Sequence, residues 1–138
     1  MFIGNTFGKT LDILHREMDV NLIRRQIIAN NIANADTPNF KRSELNFESS
    51  LKKALESEKV RKLPAFITDP RHIPFNRPVD YRTVRPRKIL DFWTTSKNNG
   101  NNVDLEQETM DLLNNELLYN MMVQTVSHQF SQVQLVLR

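Results

Sequence analysis

Apolar residues recur along the first third of the chain with the rhythm of a helix. Phe7, Leu11, Leu14, Met18 and Leu22 are spaced four, three, four and four residues apart, the interval that lines up one face of a 3.6-residue turn. Ile13, Val20 and Ile27 form a second stripe at spacing seven, beside Ile23. The pattern predicts one amphipathic helix over residues 6–35, with Asn5 or Thr6 as its cap. Pro38 ends it, because proline disfavours helical geometry at the preceding Thr37 and lacks a backbone donor. A shorter helix follows, with Phe47, Leu51 and Leu55 one turn apart and Ser43 or Asn46 at its start.

The C-terminal third has its own periodicity. One heptad-spaced row is Leu105, Leu112, Tyr119, Val126 and Val133, and another is Thr109, Glu116, Val123, Phe130 and Leu137. Together they predict a 3–4 seam over more than four heptads, interrupted at Thr109 and Glu116. Asp104 opens this helix, and Gln107 stands three residues on, as a capping box requires. The packing positions expected from the rows are Leu105, Leu112, Tyr119, Val123, Val126, Phe130, Val133 and Leu137.

Between the helices the pattern changes. Pro64, Pro70, Pro74, Pro78 and Pro86 interrupt every helical stretch, which leaves extended chain and room for one small β-hairpin. Asn98-Asn99-Gly100-Asn101-Asn102 reads as a turn, since Asn and Gly tolerate positive φ. The expectation is a mainly α fold. Its long N- and C-terminal helices pack as an antiparallel, coiled-coil-like pair around a Pro-rich extended middle. One domain covers residues 1–138: an N-terminal helix and loop (1–42), a short helix (43–59), the middle segment (60–103) and the C-terminal helix (104–138). Pairing helices across a loop of about 70 residues costs roughly 4 kcal/mol of entropy. The free subunit is therefore expected to gain order on assembly.

Residues 117–137 contain no Asp, Glu, Lys or Arg. Nine of these 21 residues are nevertheless polar, from Asn120 to Gln134, and hydrocarbon penalises that number heavily. A helix with amides and hydroxyls instead of charges, and with extra apolar positions at Leu118, Met121, Met122, Leu135 and Val136, suits packing on several sides against other protein helices.

Composition removes several chemistries. With no cysteine there are no disulfides, thiolate metal sites or cysteine nucleophiles. Three glycines leave no Gly-rich phosphate loop. His15, His72 and His128 lie in separate segments without metal-ligand spacing. The carboxylate pairs Glu56/Glu58 and Glu106/Glu108 carry no sign of the burial that would separate their pKa values for acid–base work. No enzyme signature, cofactor or metal site is expected. Charge is segregated: Lys/Arg to Asp/Glu counts are 6 to 4 over residues 1–42, 12 to 7 over 43–97 and 1 to 5 over 98–138. A basic middle and an acidic C-terminal part attract each other within or between chains. The start of the chain shows neither a basic n-region nor an apolar h-region, so no cleaved signal peptide is expected.

The most specific motif is Ala29-Asn30-Asn31-Ile32-Ala33-Asn34-Ala35-Asp36-Thr37-Pro38-Asn39-Phe40-Lys41. It resembles the signature of the flagellar rod, hook and hook-associated family, in its proximal-rod version. Asn39-Phe40 stand where Gly-Tyr is usual, and Asn supplies the positive φ that glycine would. Asn99-Gly100-Asn101-Asn102-Val103-Asp104 is similar to the family's run before the C-terminal helix, and Thr68-Asp69-Pro70-Arg71-His72 to a weaker middle element. The resemblance marks Asn30, Asn31, Asn34, Asp36, Thr37, Pro38, Phe40 and Lys41 as signature and subunit-interface residues, and Gly100, Asn101, Asn102 and Asp104 as turn and cap. Asn30, Asn31 and Asn34 read equally as amides facing neighbouring subunits or as local caps of the helix end.

The resemblance implies a structural subunit of the proximal rod in the periplasm, helically assembled near the membrane ring and transmitting motor torque. Self-association in the rod, contacts with FlgC, FlgF and FlgG-like subunits, the adaptor FliE and the ring protein FliF, and passage through the flagellar type III export apparatus come with it. Two other readings compete. The basic and aromatic stretch from Tyr81 to Trp93 has the composition of a single-strand nucleic-acid binder, although no nucleic-acid fold fits the long helices. The heptad rows alone permit a generic coiled-coil adaptor.

Overall fold

The computed structural model describes residues 5–60, 66, 68–73, 78–94 and 97–137. Helix α1 spans Thr6–Ala33, strand β1 Ser43–Asn46, helix α2 Glu48–Lys59, strand β2 Arg87–Leu90 and helix α3 Leu105–Val136, with a 3-10 turn at Tyr81–Thr83. By packing, the chain divides into two compact units, Met1–Leu45 with Lys88–Arg138, and Asn46–Arg87.

The first unit is built on the antiparallel pairing of α1 and α3. Asn5 caps α1 through its side-chain oxygen, which accepts from the Thr6 amide at 2.8 Å. Asp104 caps α3 by accepting from the Glu106 amide at 3.0 Å, and the acidic first turn of Glu106 and Glu108 suits the positive end of the helix dipole. The capping box does not close: Gln107 reaches forward, its amide donating to Asp111 at 3.2 Å. On α1 the buried positions are Val20, Asn21, Ile28 and Asn31. Thus the Ile13–Val20–Ile27 stripe borders the seam, while Leu22 of the first stripe is exposed.

On α3 the seam differs from the two rows read in the sequence. Leu112, Tyr119, Val126 and Val133 are half-buried along it. Its second row is Glu108, Asn115, Met122 and Gln129, one position earlier than Thr109, Glu116, Val123 and Phe130. Phe130 is 52% exposed and Leu137 80%. In that row Glu108 and Asn115 hydrogen-bond across the pair, to Asn31 and to the Asn21 carbonyl.

The expected small β element is present as a two-stranded ladder of β1 and β2. Its two antiparallel strands are separated by 40 residues of chain, and the Asp91 amide donates to the Arg42 carbonyl at 2.9 Å just beyond it. Ser43 and Asn46, read as caps of the short helix, belong to β1 instead, and α2 begins one residue after Phe47. The second unit has its own small core of Phe47, Leu51, Ala54 and Tyr81. There the Val79 amide donates to the Ser57 hydroxyl at 2.9 Å. Asp69-Pro70-Arg71 forms an Asx turn, the Arg71 amide donating to the Asp69 carboxylate at 2.8 Å. Pro64, Ala65, Ile67 and Pro74 of the Pro-rich segment lie outside the described residues. No helix of the described residues is long and apolar enough to cross a membrane.

Candidate functional site

The two motifs singled out in the sequence, some 60 positions apart, meet in one clasp. At the end of α1 the chain turns through Asn34, whose side-chain amide donates to the Asn30 carbonyl at 2.8 Å, so Asn34 is a local cap of the helix end. Asn39 takes φ 59°, the left-handed conformation that asparagine tolerates. Its amide donates to the Asn99 carbonyl at 3.0 Å. Opposite, Gly100 sits at φ +77°, and a Cβ there would lie 2.7 Å from the Asn39 side-chain oxygen. The backbone angle is what calls for glycine, since the close contact is with the end of the Asn39 side chain.

Asn101 closes the clasp. Fully buried, it donates from Nδ2 towards the carbonyls of Asn34, Ala35 and Thr37 at 2.9, 2.9 and 2.8 Å. Its oxygen accepts from the Val103 amide at 2.7 Å. One side chain therefore gathers three carbonyls of the loop that follows α1, while the Asn34 and Ala35 amides serve the last carbonyls of the helix itself. Lys97 Nζ donates to the Ala35 carbonyl at 2.9 Å and pairs with Asp36 at 3.3 Å. Lys41 Nζ donates to the Gly100 carbonyl at 2.8 Å. Asn102 accepts from the Arg42 amide at 2.6 Å and donates to the Asp91 carbonyl at 2.8 Å, tying the clasp to the end of β2.

Below the clasp lies a charged network. Glu108 has no exposed surface, yet its carboxylate accepts from Asn31 Nδ2 at 3.1 Å and from the Arg42 guanidinium. Arg42 also pairs with Glu44 and, at 3.1 Å, with Asp111. Asn31 donates to the Ser43 carbonyl at 2.9 Å and accepts from the Ser43 amide at 3.1 Å. Burial alone would lower the Arg42 pKa, but the hydrogen bond and charge of Glu108, with Glu44, outweigh it, and the net shift is upward. The guanidinium is a permanent cation that neutralises a buried carboxylate. Among the described residues no group of His, Cys, Asp and Glu is placed to hold a metal ion.

Of the signature residues, Asn31, Asn34 and Lys41 turn inward to these contacts, while Asn30, Asp36, Thr37 and Pro38 are exposed and Phe40 is half-buried. Gly100, Asn101, Asn102 and Asp104 all serve the turn and cap. Arg42, Glu108 and Asp111 escaped sequence reasoning. Their signals were faint: a second cation directly after Lys41, and a polar heptad row, Glu108–Asn115–Gln129, beside an apolar one.

A cavity of about 320 Å³ opens beside this network, between α1, β1 and α3. Ile27, Ile28, Leu45 and Leu118 supply its apolar lining. Arg24, Arg42, Glu44, Glu108, Asp111 and Asn114 supply the polar part. Across the helix, on the side of α3 opposite the seam, Met110, Leu113, Leu117 and Met121 form an exposed apolar stripe at spacings of three, four and four. The helix is apolar on two sides: it turns Leu112, Tyr119, Met122 and Val126 towards its partner together with Glu108 and Asn115, and a second stripe of Met and Leu outward.

The basic segment is partly consumed inside the subunit. Tyr81 is buried, and the Arg82 guanidinium lies 5.6 Å from its ring centre while its Nε donates to the phenolic oxygen at 3.2 Å. The Tyr81 ring is thus not presented outward, whereas Phe92 and Trp93 are exposed.

Comparison with known proteins agrees with the clasp. The family described as "Flagella basal body rod protein" matches residues 20–41, the end of α1 and the signature loop. The flagellar basal body rod protein FlgB of Borreliella burgdorferi is 39% identical over 134 residues, covering 97% of this chain and 99% of the relative. FlgB of Borrelia hermsii is 36% identical over the same shares. FlgB of Bacillus subtilis is 30% identical over 95% of each chain. With this identity along nearly the whole of both partners, and with the motif that carries it folded into one clasp, the chain belongs to the FlgB family of flagellar basal body rod proteins.

Proposed function

We propose that this chain builds the proximal rod through the outward face of α3, with the clasp holding α1 and α3 in the register that presents it. The chain is a structural subunit of the flagellar basal body rod. The observation that carries the assembly reading is the second, exposed apolar stripe of α3. A helix that buries Glu108 and Asn115 and exposes Met110, Leu113, Leu117 and Met121 gains most by packing that stripe against another protein surface. Repeated contacts between unlike faces generate a helical tube, and long stiff helices packed on more than one side suit a tube that transmits torque. In this reading the neighbours are further copies, FlgC, FlgF and FlgG-like subunits, FliE and the ring protein FliF. The exposed signature residues Asn30, Asp36, Thr37 and Pro38 are available to them, and the subunit arrives through the flagellar type III export apparatus.

The test is Leu117→Glu, at an exposed position outside the clasp. It leaves the helicity and melting of the purified chain unchanged, but removes the chain from purified basal bodies and abolishes swimming. Normal incorporation of this variant would remove the outward stripe from the assembly.

A further inference from the structure

The chain has a single tryptophan, and it is 95% exposed. Trp93 sits next to Phe92, itself 64% exposed, in a turn that is firmly built. The Asp91 carboxylate accepts from the Trp93 and Thr94 amides at 3.0 and 3.2 Å and from the Thr94 hydroxyl. Buried Asn102 holds the same turn from beneath, donating to the Asp91 carbonyl at 2.8 Å and to the Thr94 hydroxyl at 3.1 Å. A large aromatic side chain held outward on a braced turn loses little conformational freedom on binding, as interface anchors do.

We infer that Trp93 is the anchor of a contact between copies, inserting into the α1–β1–α3 cavity of a neighbouring copy of this chain. The inference rests on the rod reading above and specifies one of its interfaces. Three observations select this occupant. The cavity of about 320 Å³ has the size of a small ligand pocket, and its Ile27, Ile28, Leu45 and Leu118 lining suits an indole ring. Asn114 and Glu44 line the same cavity with oxygen acceptors for the indole N–H, which needs a partner when buried. The charges match as well. Exposed Arg87 and Lys88 lead into the anchor, whereas the cavity brings three carboxylates against two guanidiniums. Around the cavity α3 belongs to a stretch, residues 98–137, with five carboxylates and no Lys or Arg. Opposite potentials steer and register such contacts. Anchor and cavity are different surfaces, so the contact is head-to-tail and repeats along an assembly.

The experiment places p-benzoylphenylalanine at position 93 of the full-length chain in flagellated cells, and irradiates purified basal bodies. The expected product has the mass of two copies, with the cross-link mapped to Ile27, Leu45 or Leu118, and it is lost when the second copy carries Leu118→Glu. In parallel, Trp93→Asp lowers the number of copies per particle, counted by quantitative mass spectrometry. Cross-links to lipid, to another rod protein or to a different face of this chain overturn the inference, as does unchanged occupancy of Trp93→Asp. In each of those cases the chain is still in the particle, and the rod reading stands. If the wild-type chain is missing from intact basal bodies, the rod reading falls and this inference falls with it.

Discussion

The clasp and the middle of the α1–α3 seam treat asparagine in opposite ways. At the clasp Asn31 and Asn101 are buried, and each uses both its amide nitrogen and its oxygen. In mid-seam Asn21 is as deeply buried, at 1% exposure, yet neither its amide nitrogen nor its oxygen has a hydrogen-bond partner in the protein. Asn115, facing it, donates to the Asn21 carbonyl at 3.2 Å but leaves its own oxygen unpartnered. A buried amide without partners costs about 1–3 kcal/mol, whereas a satisfied one contributes about 1 kcal/mol per bond. The clasp end of the pair is therefore locked and its middle is weak, although the residue type is the same. Polar groups in a helical seam set register at a cost in stability. Here the register is set by the clasp, and the mid-seam amides add the cost without most of the hydrogen bonding.

The largest effect is expected at Arg42. Arg42→Ala leaves the Glu108 carboxylate fully buried with Asn31 as its remaining partner, and breaking such a pair costs about 3–5 kcal/mol. Urea unfolding of the purified chain should show that loss, and a cost below that of an exposed ion pair would mean the network is not buried in solution. Asn101→Ala comes next. It removes one donor from each of three loop carbonyls and the acceptor of the buried Val103 amide and is expected to cost about 2 kcal/mol, with amide exchange at residues 34–41 accelerating first.

Asn21→Leu has the opposite sign. It removes no hydrogen bond made by the side chain and exchanges an unpartnered amide for apolar volume, a gain of about 1 kcal/mol. Should this variant prove less stable, the contrast between clasp and mid-seam would collapse. The smallest effect concerns the turn that presents Trp93. The Thr94 hydroxyl, then the Trp93 amide, hold the Asp91 carboxyl below its ordinary 3.8. A depressed carboxylate stabilises the folded turn fully above its ordinary value and loses that contribution as pH falls through the lower folded value. The sole tryptophan reports this directly: its emission is expected to shift in acid, and Asp91→Asn to remove the shift.

The helices themselves were legible because period is a one-dimensional property. Spacings of three and four residues placed α1 within two residues of its end, and Asp104 marked the start of α3. The family signature was legible for a similar reason, since a contiguous motif carries its own identity. The positive φ at Asn39 also followed from residue type alone. The row of α3 that faces α1 was not legible. An apolar count favours the row of Val123 and Phe130 over that of Glu108 and Asn115, whose partners lie 77 and 94 positions away in the chain. Sequence by itself therefore determined which segments are helical, where they stop and which family they belong to, because propensity, period and motif are local. Tertiary structure alone decided that Glu108 is the buried end of an ion pair, that the two asparagine-rich motifs are one clasp, and that α3 leaves a second apolar stripe outward. Burial and pairing are properties of neighbours, and the chain supplies those neighbours only once it has folded.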